Sequence, residues 1–209
     1  MAKERQQGFS LIELMIVVAI IMIISAMAAP DITRALGNMR LRGSVSSVSG
    51  LLQKTRIDAV RNNRLRVARI QTVNGATMVF VDGGGPNHLF NDRWDDQEPV
   101  IQLATSVSLQ TSGYPAFDST TLLGYNQAAN TSFNVGFNQR GMPCYPSPTT
   151  GTPTDCTYGS PVTATQGSTS GYLYFFKMSS AFGDRWSAIT ITPAGRIRVW
   201  TWGGGTTWS

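Results

Sequence analysis

The hydrophobic pattern of the first sixty residues predicts one long helix with two different halves. Residues 11–29 form an almost continuous apolar run of 19 residues, which Pro30 then interrupts. This length is close to the roughly 20 residues that cross the hydrocarbon core of a bilayer. Beyond it, apolar residues recur every three or four positions, which predicts an amphipathic helix. They are Leu41, Val45, Val48, Leu52 and Ala59.

The predicted helix begins near Phe9 and ends near residues 62–63, a length of about 80 Å. Pro30 is expected to kink or loosen it, because proline lacks an N–H and its ring crowds the preceding turn. Gly37 and Gly43 are expected to weaken it further. The apolar front half therefore belongs in a membrane or a filament core, and the back half is expected to cover a sheet.

Short alternating or β-branched segments after residue 64 predict antiparallel strands. Asn74-Gly75 favours a two-residue hairpin turn between the first two of them. The glycine-rich residues 83–86 and the polar residues 143–171 are predicted to be loops. The predicted strands are 66–72, 77–82, 100–104, 131–138, 172–178, 188–192 and 196–202. The predicted fold class is therefore α+β, with one long helix lying on antiparallel sheet.

Composition favours an exported, β-rich domain over a cytosolic enzyme. Charged residues make up only 14% of the 209 residues, and glycine is abundant with 21 copies. The chain has one histidine and carries no GxSxG, HExxH or phosphate-loop pattern. We therefore expect neither a catalytic centre nor a cofactor.

Charges are segregated along the chain. Residues 34–69 hold nine basic residues and one acid, Asp58, whereas residues 82–98 hold five acids and one base, Arg93. The basic stretch is either a solvated helix face or a surface for phosphate, lipid headgroups or an acidic partner. The acidic stretch is expected to be a surface loop. A calcium site is the alternative, but the spacing does not fit an EF-hand loop, so no metal site is predicted.

The start of the apolar run carries a charge. Lys3 and Arg5 precede Gly8-Phe9-Ser10-Leu11-Ile12-Glu13. A carboxylate in a membrane helix costs about 2.5–3.5 kcal/mol on insertion scales, so Glu13 is expected to have a function. One alternative is a secretory signal peptide cleaved at Ala26-Met27-Ala28, although a charge weakens its apolar region. The other is a plain single-span anchor. Both place the remainder of the chain outside the cytoplasm.

The run GFSLIELMIVVAII resembles the N-terminus of type IV pilins and of the pseudopilins of type II secretion. The resemblance implies that a prepilin peptidase cleaves after Gly8, that Phe9 is then methylated, and that Glu13 pairs with a neighbouring subunit's terminal amine. It implies a single-pass protein of the bacterial inner membrane with a periplasmic head, which joins other pilins in a pilus or pseudopilus. The implied segments are a leader at 1–8, a transmembrane and assembly helix at 9–29, its amphipathic continuation at 30–63 and a β-rich head at 64–209.

Cys144 and Cys156 are expected to form a disulfide. Two cysteines alone cannot make a zinc site, and the histidine, His88, lies far away in sequence. In an oxidising compartment, the pair is expected to close a short loop. Such a crosslink stabilises the fold mainly by restricting the unfolded chain, by about 3 kcal/mol for a loop near this length.

The C-terminal segment carries the main candidate for binding chemistry. A tight turn is predicted at residues 193–195, followed by the last strand, whose side chains alternate between faces. The side chains expected on one face are those of Arg196, Arg198, Trp200 and Trp202. Guanidinium groups beside indoles suit single-stranded nucleic acid, because arginine binds phosphate and indole stacks on bases. The alternative is structural: the tryptophans pack under the long helix and the arginines flank them in ion pairs.

Three segments resemble the GspH/FimT branch of minor pilins: FNQRGMPC from Phe137 to Cys144, then residues 189–191, and the Gly-Arg-x-Arg element of residues 195–198. In FimT-like members that element is linked to DNA binding during natural transformation. Gly195, Arg196 and Arg198 match it, and Arg140 is expected to assist. The resemblance implies a FimT-like minor pilin that contributes to pilus assembly and to DNA uptake. An H-type minor pseudopilin with a structural role at a type II secretion tip is the alternative. The tail departs from the pattern, because some relatives have a cysteine there.

Overall fold

The described part of the chain contains one long helix, one short helix and ten strands. The structure is a computed structural model, and it describes residues 10–86, 90–147, 155–157, 171–180, 183–203 and 207–209. The helices are α1 (Leu11–Arg61) and α2 (Ser119–Leu123). The strands are β1 (Arg66–Val73), β2 (Ala76–Asp82), β3 (Val100–Gln102), β4 (Val107–Gln110), β5 (Asn134–Phe137), β6 (Pro143–Ser147), β7 (Asp155–Thr157), β8 (Tyr172–Met178), β9 (Arg185–Ile191) and β10 (Ile197–Thr201).

Helix α1 has the two halves that the hydrophobic pattern predicts. It spans 51 residues in all, includes Pro30 without a break, and ends at Arg61, with Asn62 as its C-cap. No apolar residue between positions 11 and 36 is buried. The five residues predicted to face the sheet are all buried, which confirms the amphipathic back half. The apolar front half therefore stays available to a membrane or to neighbouring subunits.

Two antiparallel sheets pack against the back half of α1. One has the order β3-β2-β1-β5-β6-β7 and the other has the order β10-β9-β8-β4. Val48 and Leu52 of the helix share one apolar cluster with Phe137 of the first sheet and Ile189 of the second. Full burial of such a side chain is worth about 1.5–3 kcal/mol. The helix is therefore held by both sheets.

A second apolar cluster covers the other face of the four-stranded sheet. Phe175 of β8 and Trp200 of β10 belong to this cluster. Phe117, from the loop before α2, and Trp208, from the C-terminal tail, pack over them. The Phe117 ring meets the rings of Trp200 and Trp208 at centroid distances of 5.8 and 5.5 Å. The Trp200 Nε1–H donates to Thr190 Oγ1 at 2.9 Å. Because both faces are covered, β8 is an almost unbroken apolar run.

The predictions missed part of the sheet structure. Strand β4 and helix α2 lie in a segment where neither was predicted, and β6 and β7 lie in a segment predicted to be a loop. Prolines 143 and 146 made β6 resemble a loop, and β7 has only three residues. The disulfide is confirmed: the Cα atoms of Cys144 and Cys156 are 5.4 Å apart, and β7 pairs with β6 beside them. The remainder of the predicted loop lies outside the described residues.

Candidate nucleic-acid interface

Arg56 of helix α1 holds two turns of the head together. Its Nε donates to the Gly141 carbonyl oxygen at 2.9 Å, and its Nη1 donates to the Gly195 carbonyl oxygen at 2.9 Å. Its Nη2 donates to the Ala194 carbonyl oxygen at 3.4 Å. The first turn joins β5 to β6 and the second joins β9 to β10. One guanidinium therefore links the helix to both sheets through charge-assisted hydrogen bonds, which are stronger than neutral ones.

Both turns need glycine where they meet. The φ angles of Gly141 and Gly195 are 72° and 78°, in the left-handed region that glycine adopts without steric cost. A Cβ on Gly195 would lie 2.9 Å from the Gly141 carbonyl oxygen and 3.0 Å from Arg56 Cζ. Thr192 closes the second turn, because its carbonyl oxygen accepts the Gly195 N–H at 2.7 Å. The predicted tight turn is confirmed, and its glycine permits the close approach.

This contact brings Arg140 and Arg196 to the same end of the head. Each directly neighbours a glycine whose carbonyl oxygen Arg56 binds, and both are exposed. Arg196 also lines an open groove beside Arg56 and Arg61 of the helix. Arg196 and Arg140 are 56 positions apart in sequence. The structure thus gathers two of the predicted DNA-binding residues at one place.

Arg198 lies farther along β10, over an indole that is not free to bind a base. Its Cζ is 4.6 Å from the ring centroid of Trp200, a cation–π distance. Trp200 is only 7% exposed, and Trp202 is half-buried against the same cluster. The predicted stacking surface of guanidinium and indole groups is therefore wrong. The prediction that Trp200 packs under the long helix is wrong too, because its cluster lies on the opposite face of the sheet.

The basic stretch of residues 34–69 does not form one surface. Arg66 and Arg69 are 1% and 6% exposed, and burial lowers the pKa of both guanidinium groups. Arg66 donates to the Gly83 carbonyl oxygen, while Arg69 pairs with Asp82 at 2.7 Å and also with Asp92. The other cations group at the two ends of the helix's back half. They are Arg34, Arg40 and Arg42 at one end and Lys54, Arg56, Arg61 and Arg64 at the other.

The prediction of an acidic surface loop is wrong for two of its five acids. Asp82 and Glu98 are buried. Burial raises the pKa of Asp82, and it raises the pKa of Glu98 to about 7 although Glu98 accepts the Gly83 N–H at 2.7 Å. The acidic and basic stretches therefore meet inside the head, where Arg69 pairs with Asp82. Within the described ranges, no three His, Cys, Asp or Glu side chains cluster closely enough to hold a metal ion.

At the other end of the chain, Glu13 lies in the first turn of α1 and is exposed among apolar residues. No ion-pair partner for it occurs among the residues that the structure describes. By length and composition, the helix is able to cross a membrane. Gly8 and Phe9 lie outside the described residues, so their roles in cleavage and methylation stay predictions.

The N-terminal segment matches the prokaryotic N-terminal methylation motif over residues 3–29. The matched segment contains Gly8, Phe9, Glu13 and the apolar run. The motif indicates a prepilin of the type IV pilin or pseudopilin kind. Neither the curated proteins nor the solved structures include a match to it. The long apolar helix followed by antiparallel sheets agrees with a type IV pilin fold. The motif implies processing by a prepilin peptidase and assembly with other pilins, and with the apolar helix it suggests a membrane-anchored protein.

Proposed function

We propose that this prepilin is a FimT-like minor pilin that contributes to pilus assembly and binds DNA in natural transformation. The docking of two turns on Arg56 carries the DNA-binding proposal, because it sets Arg140 and Arg196 close together, with Arg198 following on β10. All three arginines are exposed, and none has an ion-pair partner among the described residues. Three unneutralised guanidinium groups on one end of a small head suit phosphate.

The structure favours contact with the phosphate backbone over base stacking. The indole beside Arg198 is buried, so it offers no face on which a base stacks. Binding is therefore expected to be independent of sequence and strongly dependent on salt. On duplex DNA, three neutralised phosphates give a slope of about −2.7 for the logarithm of affinity against the logarithm of salt concentration.

The proposed site lies far from the membrane. Arg56 is 17 residues beyond Met39 on the same helix, a rise of about 25 Å. The two turns that Arg56 holds therefore lie at the end of the head that points away from the bilayer. A DNA molecule outside the membrane reaches this end without passing the anchor.

The test is a titration of a fragment of residues 37–209 with fluorescein-labelled duplex DNA, followed by anisotropy at several salt concentrations. The helix residues that the fragment lacks, 11–36, contribute nothing apolar to the buried core. We expect Arg196→Gln with Arg198→Gln to weaken binding at least about tenfold and to reduce the magnitude of the salt slope by about 1.8.

The matched control removes two exposed charges from the opposite end of the head, with Arg40→Gln and Arg42→Gln. Its affinity and its salt slope are expected to equal those of the unchanged fragment. Equal weakening in both double variants would show that only total charge matters, and the site would be wrong. A fragment that binds no DNA at low salt would overturn the DNA-binding function and leave a structural role in a filament.

We further propose that Glu13 is the assembly residue. Cleavage after the leader at residues 1–8 exposes Phe9, whose methylated amine pairs with Glu13 of a neighbouring subunit. The helix at residues 9–29 anchors the protein in the inner membrane, and the head lies in the periplasm. An exposed carboxylate in an apolar helix supports this, because lipid alone does not satisfy its charge. Glu13→Ala is expected to abolish incorporation into filaments, scored by immunoblot of sheared filaments, whereas Met15→Ala keeps it. Normal incorporation of Glu13→Ala would contradict the pairing.

A further inference from the structure

The part of α1 that precedes the head is long enough to cross a bilayer. The apolar run of residues 11–29 rises about 27 Å, against about 30 Å for the hydrocarbon core, and residues 30–39 rise about 15 Å more, enough to pass the headgroup layer. Ile32, Leu36 and Met39 are exposed apolar residues at spacings of four and three, so they continue one stripe beyond the apolar run. The head begins at the same level, since a Cβ on Gly37 would lie 3.2 Å from Met178 Cε. The end of the head near Gly37 and Met178 therefore borders the headgroup layer.

This end of the head contains a basic cleft with tryptophan in its walls. The cleft lies between α1 and the ends of β9 and β10, and its walls include Arg42, Arg185, Trp186 and Trp202. Its volume of about 220 Å³ is far above the roughly 10–15 Å³ that one water molecule needs, and it is enough to admit a phosphate group. Arg40 lies on a neighbouring surface of the same end.

The charges at this end are not balanced by acids. Residues 31–42 and 177–186 hold five cations and two carboxylates. Each carboxylate already has a partner: Asp31 pairs with Arg34 at 3.2 Å, and Asp184 pairs with Lys177 at 2.7 Å. Neither Arg42 nor Arg185 has an ion-pair partner among the residues described. A net positive surface thus faces the bilayer at its headgroup layer.

We infer that this cleft binds the phosphate headgroup of an anionic lipid and seats the head on the membrane before assembly. Arginine suits phosphate because its planar donors pair with two oxygens at once. Trp186 and Trp202 are half-buried, and amphipathic indoles concentrate at the boundary between lipid and water. Attraction to an anionic surface falls off within about 10 Å, so it acts on this end and not on Arg196 at the far end. The site depends on the anchor and is independent of the proposed DNA function.

The test uses the full chain, one copy per nanodisc, and hydrogen exchange of peptides that cover residues 38–42 and 183–187. Discs of phosphatidylcholine alone are compared with discs of equimolar phosphatidylcholine and phosphatidylglycerol. We expect several-fold slower exchange of both peptides in the anionic discs. Arg42→Gln with Arg185→Gln should lose this difference, and Arg42→Lys with Arg185→Lys should keep most of it. Exchange of residues 134–137 in the core reports that each variant is folded.

The control variant is Arg140→Gln with Arg196→Gln, which removes two charges from the far end and should keep the full lipid response. Equal exchange in both kinds of disc overturns the inference, and so does loss of the response in this control. Protection by added inorganic phosphate in phosphatidylcholine discs would assign the cleft to free phosphate and overturn the lipid assignment. Protection that needs two copies per disc would assign the surface to a neighbouring subunit, again overturning it. No DNA is present, so failure of the DNA proposal does not affect the result.

Discussion

Replacing Arg56 tests whether one side chain organises the far end of the head. Arg56→Met keeps the aliphatic stem and removes the guanidinium, which donates to the carbonyl oxygens of Gly141 and Gly195 at 2.9 Å each. Hydrogen bonds from a charged donor are worth about 1.5–3 kcal/mol each. Arg56 is only partly buried, so the lower value applies to each bond. We therefore expect a loss of about 3 kcal/mol in the free energy of unfolding.

The assay is urea unfolding of the fragment of residues 37–209, followed by the fluorescence of its tryptophans. A loss of about 3 kcal/mol moves the midpoint by about 1.5 M urea for a slope of about 2 kcal/mol per molar. Lys54→Met is the matched control, because Lys54 is exposed on the same helix. Its change is expected to stay within about 0.5 kcal/mol.

Arg56→Lys separates charge from geometry. A single ammonium group does not reproduce the planar fork that spans two carbonyl oxygens, so about half of the stabilisation should be lost. If the proposed DNA site is correct, the DNA affinity of Arg56→Met should fall several-fold while its salt slope stays unchanged, because the three arginines proposed to bind phosphate remain. A variant Arg56→Met with the urea midpoint of Lys54→Met would refute the reasoning, and so would Arg56→Lys with wild-type stability.

Three further predictions follow from burial and backbone geometry. Gly195→Ala should destabilise the fragment more than Gly75→Ala in urea unfolding, because both have left-handed φ angles but only Gly195 faces a carbonyl oxygen at 2.9 Å. Glu98→Gln should become more stable relative to wild type as the pH rises from about 4.5 to about 7. The pKa of Glu98 is higher in the folded chain than in the unfolded chain, so its ionisation favours the unfolded chain. A difference in the free energy of unfolding that stays constant across parallel melts at these pH values would contradict this. Leu52→Ala should cost about 2–5 kcal/mol and Ile57→Ala little, because the first side chain is buried and the second exposed; equal urea midpoints would show that the assigned helix face is wrong.

Local interactions account for what was predictable in the fold. The period of the apolar residues decides which side of α1 is buried, so the predicted helix face is correct. Asn74 and Gly75 have φ angles of 50° and 79°, and Val73 pairs with Ala76 across them as a two-residue hairpin requires. Strands β4 and β7 were missed because short strands form only when neighbouring strands supply hydrogen-bond partners.

The candidate site shows where local patterns stop being informative. Strand alternation correctly placed Arg198 and Trp200 on one side of β10, but it does not predict which residues cover that side. Phe117 and Trp208 come from distant segments to bury the indole. A tryptophan predicted to bind a ligand thus becomes part of the core.

The N-terminal motif and the helix are determined by the sequence alone, because the methylation motif, the apolar length and the amphipathic period are all properties of contiguous residues. The arrangement of charge is decided only by the tertiary structure. Arg69 is buried because Asp82 lies on the paired strand, and Arg56 binds carbonyl oxygens 85 and 139 positions away. Coulomb and hydrogen-bond energies depend on distance in space, which residue spacing along the chain does not specify. The N-terminus therefore identifies a prepilin, while the folded head decides which of its arginines remain free to bind.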